Sequence, residues 1–227
     1  MRTEQQSGLD LQVLQEQRMK EILDPSHSAL LVVDIQNDFC SPYGKLASRG
    51  HNIAPLQAVV QPIREVVELF HRLGRPVVWT KNLDDPDSRT AAGIDRFIWF
   101  EGNDRENRVV CLEGSEGAEF FVEPGEGDII MEKRRSSAYV GTSLREILAQ
   151  NGIKTLFIVG VQTQRCVART VHDLYDNEPN LHVVVLKDCV ASMNARQDQA
   201  AIAEMELFYP PVISSITLKK AWKETSS

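Results

Sequence analysis

The sequence predicts an α/β fold, a three-layer α/β/α sandwich around a mostly parallel, Rossmann-like sheet of about six strands. Three observations lead there. Short, nearly continuous apolar runs such as ALLVVDI (29–35) and TLFIVG (155–160) are what strands covered on both faces require. Helical stretches alternate with these runs along the chain, the order that right-handed crossovers produce. With 227 residues, 42% of them apolar, the chain is long enough for one well-filled core.

LDLQVLQEQRMKEIL (9–23) carries Leu11, Leu14, Ile22 and Leu23 at loosely helical spacing and reads as an N-terminal helix free to dock on a neighbouring subunit. ALLVVDI is the first strand, followed by a polar loop and by a helix over 55–73 that stops at Gly74. PVVWTKN completes a βαβ unit. Residues 83–107 show little periodicity and many charges, the mark of a long connection that forms a lid or binding loop. DIIMEK (128–133) is the next strand, TSLREILAQNG a helix, TLFIVG a strand, and the segment from Thr163 a helix. HVVVLKD then reads as a strand, RQDQAAIAEMELF as a helix and PVISSITL as a last strand. No repeat appears, and no linker rich in Gly or Pro divides the chain.

Composition narrows the function classes. A net charge of −7, with no run of Lys or Arg, disfavours nucleic acid and anionic membrane surfaces as partners. No segment has the ~20 apolar residues that span a bilayer, and the N-terminus lacks a signal peptide's apolar stretch. A cytoplasmic protein is expected. Cys40, Cys111, Cys166 and Cys189 show no CxxC spacing and should remain thiols there.

In such sheets ligands bind beyond the carboxyl ends of the strands, where strand order reverses. Asp34 ends the first strand, Lys133 ends DIIMEK, and TLFIVG leads through a tight turn to Cys166. An acid, a base and a thiol therefore share one edge. His172 and His182 fall at the opposite edge, which argues against a Cys-His dyad. With Thr163 as N-cap, Cys166 lies in a helix's first turn, where unpaired N–H groups and a nearby ammonium should hold its pKa below ~8.5. Fast alkylation by iodoacetamide would follow. Each residue alone has an ordinary structural explanation, as filler, cap or solvated charge; three at one edge point to chemistry. The loop QNDFCSPYG has no GxGxxG, so a nucleotide-binding role is disfavoured.

Around those residues the chain resembles the isochorismatase-like cysteine hydrolases, a group that includes nicotinamidases and the N-carbamoylsarcosine, ureidoacrylate and biuret amidohydrolases. The resemblance rests on LLVVDIQNDF, GDIIMEKRRSSAYVGTSLREIL and IVGVQTQRCVARTVHDL, in that order. It implies a catalytic triad of Asp34 as base, Lys133 as electrostatic and positioning group, and Cys166 as nucleophile. It also implies an oxyanion hole of the backbone amides of Gln162 and Cys166, and a cis Val161–Gln162 peptide. The chain then divides into an N-terminal helical extension, 1–27, and an isochorismatase-like hydrolase domain, 28–227.

Departures from the pattern concern the substrate. Gln164 stands where many members carry Asp or Asn, Gln162 where many carry Ala, and Ser136 where an aromatic is common. After the second strand the chain reads WTKNLDDPDS, without the histidines of the nicotinamidase metal site; no metal and no cofactor are expected. Cys166 argues against the vinyl-ether chemistry of isochorismatases proper. The expected reaction is hydrolysis of a C–N bond in a small amide, ureide or carbamoylated amine through a thioester or carbamoyl-enzyme. Gln36, Phe39, Trp79, Phe97 and Trp99 are candidate substrate-binding residues, with Arg89, Arg96 and Arg105 as possible carboxylate binders; RFIWF fits a subunit interface as well as a pocket. Cys40 could line the site, while Cys111 and Cys189 read as packing. The expected partners are the small substrate and further copies of the chain, as dimer or tetramer. The alternative is a catalytically inert binding or assembly subunit of the same fold.

Overall fold

The computed structural model describes residues 4–85 and 109–224. Six strands form one sheet: β1 (Ser28–Val33), β2 (Val77–Asn82), β3 (Ile129–Lys133), β4 (Thr155–Val161), β5 (His182–Ala191) and β6 (Val212–Ile213). Their order is β3-β2-β1-β4-β5-β6, and every pairing is parallel. The chain builds outward from β1 through β2 to β3, then crosses to β1's other side for β4. The switch point therefore lies between β1 and β4.

Strand alternation assigns the two helical layers. Leu30, Val32, Trp79, Phe157 and Val159 pack on one face with Ile63, Val66 and Phe70 of α5 (Val60–Arg72) and Leu218 and Trp222 of α9 (Ser215–Glu224). On the other face, Leu31, Val33, Val78, Leu156 and Ile158 meet α6 (Leu144–Gln150), α7 (Ala168–Asn177) and α8 (Ala195–Phe208). Leu30, Leu31, Val32 and Val33 are all fully buried, each contributing about 1.5–3 kcal/mol of apolar transfer. That two-sided burial is why β1 reads as an unbroken apolar run.

Helix α1 (Glu4–Ile22) is anchored by its last turn. Met19 and Ile22 pack on the core and the Leu23 carbonyl accepts from Trp222 Nε1 at 2.6 Å, whereas Leu11, Val13 and Leu14 are more than half exposed.

The expected helix over 55–73 is two helices, α4 (Ala54–Ala58) and α5. Pro62 has no N–H to give to the Ala58 carbonyl, so the ladder restarts there. PVISSITL is not a strand: β6 holds only two residues and α9 follows. Ser214 Oγ accepts from Thr217 N at 3.1 Å and the Ser214 carbonyl from Leu218 N at 3.2 Å. Local capping overrides the β-branched composition of that stretch. Strand β5 runs beyond HVVVLKD to Ala191 across a register shift. Within it Asp188 accepts from Ser215 N and Oγ, at 2.7 and 2.6 Å, which fixes the start of α9. The long connection falls mostly outside the described residues.

Candidate active site

Asp34 follows β1 at the switch point, with φ +54°. Asp tolerates this left-handed conformation better than most side chains. Thr80 on β2 is in register with Val33. Its hydroxyl donates to Asp34 Oδ1 at 2.6 Å and accepts from Asp34 N–H at 3.1 Å. Both residues are fully buried. On the other flank Gly160 of β4 pairs with Val33, and a Cβ there would lie 2.1 Å from the Val33 carbonyl oxygen. At φ +121°, only glycine suits this close approach.

Lys133, at the end of β3, brings its ammonium into this buried space. Nζ stands 2.9 Å from Asp34 Oδ2, both side chains wholly buried. The contact is a charge-assisted ion pair that sets the ammonium against Oδ2 while Thr80 holds Oδ1. Lys133 Nζ also donates to the Arg135 carbonyl at 3.0 Å, Asn82 Oδ1 at 3.2 Å and the Ser136 carbonyl at 3.3 Å, with Cys166 Sγ at 3.6 Å. Burial works against the ammonium, but Asp34 first and the Cys166 sulfur second outweigh it and hold Lys133 above its ordinary pKa.

Cys166 sits in a wide π-helical turn, Thr163–Val167, between β4 and α7. The Gln162 carbonyl accepts from Arg165 N at 3.0 Å and Val167 N at 3.3 Å, its i+3 and i+5 neighbours, in place of the i+4 bond that would occupy the Cys166 N–H. Two hydroxyls fix the turn. Thr170 Oγ1 donates to the Cys166 carbonyl at 2.6 Å while accepting from Ala138 N at 2.9 Å, and Thr163 Oγ1 donates to Asp198 Oδ1 at 2.5 Å. The Val161–Gln162 peptide is cis. Thr163 is therefore not the expected N-cap, since its hydroxyl is spent on α8.

The expected thiol pKa is reversed. Burial pushes Cys166 up to about 12; Lys133 pulls it down, and Asp34, within hydrogen-bonding reach, raises it again. The ammonium belongs first to Asp34, and desolvation of the sulfur outweighs it although the residue as a whole keeps partial exposure. At neutral pH the resting nucleophile is a thiol beside Asp34.

The predicted Asp34, Lys133 and Cys166 thus come together. Three of the expected pocket residues do not join them. Trp79 faces the opposite side from Thr80, because successive strand residues alternate; its indole lies in the first core and donates to Asp128 Oδ2 at 2.7 Å. Phe39 is buried in that same core. Gln36 is fully buried, its Nε2 donating to the Asn82 and Ala118 carbonyls at 2.9 and 2.7 Å and its Oε1 accepting from Asn82 N at 2.9 Å. It holds the strand segment that presents Asn82 to Lys133. Phe97, Trp99, Arg89, Arg96 and Arg105 lie outside the described residues. Cys40, Cys111 and Cys189 are free and buried. Gln164 does reach the site's rim, bridging Ser192 Oγ and the Gln162 and Gln197 side-chain oxygens.

Thr80, Asn82 and Thr170 were not anticipated. The available signal was a polar TKN directly following the apolar PVVW at a strand's carboxyl end. A cleft of about 560 Å³ opens beside Lys133, bordered by Glu132, Arg134, Arg135, Val140 and Gly141. A groove of about 580 Å³ between α5 and α9 shares none of these residues. Among the described residues no cluster of three or more His, Cys, Asp or Glu could hold a metal ion.

Comparison with known proteins supplies the context. A family model, the isochorismatase domain, matches residues 28–217. The ureidoacrylate amidohydrolase RutB of Methylobacterium radiotolerans is 30% identical over 198 residues, covering 82% of this chain and 76% of that protein. The N-carbamoylsarcosine amidase structure from Thermoplasma acidophilum is 29% identical with a TM-score of 0.64, covering 83% of this chain and 96% of its own. A cysteine hydrolase structure from Pseudomonas syringae pv. phaseolicola 1448A superposes with a TM-score of 0.75 over 88% of this chain and 94% of its own; at 20% identity it speaks for the fold alone.

Proposed function

Because the chain belongs to the isochorismatase family, we propose that it cleaves the C–N bond of a small amide, ureide or carbamoylated amine through a covalent intermediate on Cys166. The amidohydrolase relatives support the reaction class. One observation carries the mechanism: at the switch point a thiol lies within hydrogen-bonding reach of Asp34 and 3.6 Å from the ammonium of Lys133.

Asp34 Oδ2 takes the thiol proton as the sulfur attacks the carbonyl carbon. Neutralising Asp34 frees the ammonium to turn from the carboxyl group toward the sulfur, which has just become anionic. The backbone N–H groups of Gln162 and Cys166 receive the oxyanion, a contribution of about 10²–10³ in rate per donor. Collapse of the tetrahedral intermediate breaks the C–N bond, and the proton on Asp34 leaves with the amine. Water then gives its proton to Asp34, attacks the thioester or carbamoyl-enzyme and releases the acid or carbamate with the thiol restored.

A cytoplasmic homo-oligomer without metal or other cofactor is part of this reading. Four free thiols suit a reducing compartment, and none of the described helices is long and apolar enough to cross a membrane. The test is ammonia release over a panel of carbamoylated amines, ureides and simple amides, with Cys166→Ala beside the wild type. Turnover that disappears in the variant is expected. A variant that keeps its rate, or a wild type that turns over nothing on the panel, returns the fold to an inert binding role.

A further inference from the structure

We propose that Thr80 is the positioning residue of the base: its hydroxyl clamps one oxygen of Asp34 and thereby reserves the other for the thiol proton. The inference rests on the reading of Asp34 as base. A carboxylate has two equivalent oxygens, and rotation about its last torsion exchanges them at low cost unless something fixes the plane. Here Thr80 Oγ1 gives its only proton to Oδ1 at 2.6 Å and uses a lone pair to accept the Asp34 N–H at 3.1 Å. One hydroxyl therefore holds both ends of the residue, the carboxylate plane and the backbone at φ +54°. Oδ1 is committed to Thr80, and Oδ2, 2.9 Å from the Lys133 ammonium, is the oxygen left for the exchange.

The groups around the carboxylate leave this task to Thr80. Lys133 from β3 stands 2.9 Å from Oδ2 and sets the field. Cys166 from the π-helical turn is the proton donor. Cys40 from α2 (Asn37–Cys40) and Cys111 from the segment before β3 feel the Asp34 charge and are buried thiols. None of these is an uncharged donor to Oδ1. A hydroxyl proton given to the ionised carboxylate also favours that form, so removing it should make Asp34 harder to ionise.

Alkylation of Cys166 by iodoacetamide, followed as modified peptide by mass spectrometry between pH 4 and 9, reads this without a substrate. In this reading the acid limb of the rate follows the group that takes the thiol proton. Thr80→Val should move the limb up by about one pH unit and slow labelling roughly tenfold below its midpoint, while Thr80→Ser, which restores the hydroxyl, should follow the wild type. If valine impairs folding, Thr80→Ala makes the same comparison. Coincident limbs for the hydroxyl-free and wild-type proteins would overturn the assignment, as would a serine variant that behaves like valine. Asp34→Asn separates the two readings. If it leaves the wild-type limb in place, Asp34 is not the base; if it removes the limb while Thr80→Val leaves it unmoved, only the positioning role fails.

Discussion

Two aspartates near opposite ends of β3 both keep their side chains almost out of solvent and have different fates. Asp128, just before β3, accepts from His71 Nε2 at 2.6 Å, Trp79 Nε1 at 2.7 Å and Gly125 N at 2.8 Å. Both of its oxygens are occupied by fixed donors, so it can only hold the amino-end loop to α5 and β2. Asp34, at the carboxyl end, has one oxygen bound by Thr80 and the other facing the Lys133 ammonium. The comparison teaches that a shielded acid serves as a staple when both its oxygens are tied to fixed donors of neighbouring segments. It becomes available for proton transfer when one oxygen shares its space with an ammonium and a thiol.

The sharpest way to break that contrast is to neutralise both. Asp34→Asn should lower ammonia release by about 10³-fold, within the range for loss of a general base; Asp128→Asn should leave turnover within about threefold. Comparable losses in the two variants would erase the distinction. Next in size is a pair of glycines. Gly160→Ala drives a Cβ to 2.1 Å from the Val33 carbonyl oxygen at φ +121°, between two central strands, and should cost about 3 kcal/mol or more in a urea titration. Gly125→Ala meets the edge of the His71 ring at 2.7 Å and Asp128 Oδ2 at an ordinary contact of 3.4 Å; the ring is about one-third exposed and can shift, so the change should cost about 1 kcal/mol.

Asp128→Asn should itself destabilise by about 2 kcal/mol, since it sets an amide where three donors converge; calorimetry should register a fall of roughly 4–8 °C. A further effect is alkaline. Burial raises the Cys40, Cys166 and Cys189 thiols from an ordinary 9.0 to about 12. Their contribution is fully present below pH 9 and is lost as pH rises toward 12, because the unfolded chain releases those protons first. Urea midpoints should decline over that window, and Cys189→Ala should flatten the decline. A midpoint constant to pH 11 would contradict it.

Much of this was legible from the chain itself. Doubly buried strands must be apolar along their length, so β1 and β4 announce themselves, and Asp34, Lys133 and Cys166 stand out as polar residues at the ends of such runs. The pocket assignments fared worse for a physical reason. Trp79 is large and near the site in sequence, but which face a strand residue takes depends on a parity that one residue reverses, and Phe39, on the short helix after Gln36, turns into the same core. Gln36 looked available because its partners, Asn82 and Ala118, are 46 and 82 positions away. The thiol pKa was misjudged because helix-end arguments are local, whereas desolvation depends on everything packed around the sulfur.

The sequence by itself determined the layering of the fold and the kinds of group gathered at its carboxyl edge, since both follow from local apolar pattern and strand order. Only the tertiary structure decided that Asp34 gives one oxygen to Thr80 and sets the other against the Lys133 ammonium, that Asn82 helps hold that ammonium, and that burial raises the thiol pKa. Those outcomes depend on distances and burial set jointly by β1, β2, β3 and the π-helical turn, and no single segment encodes them.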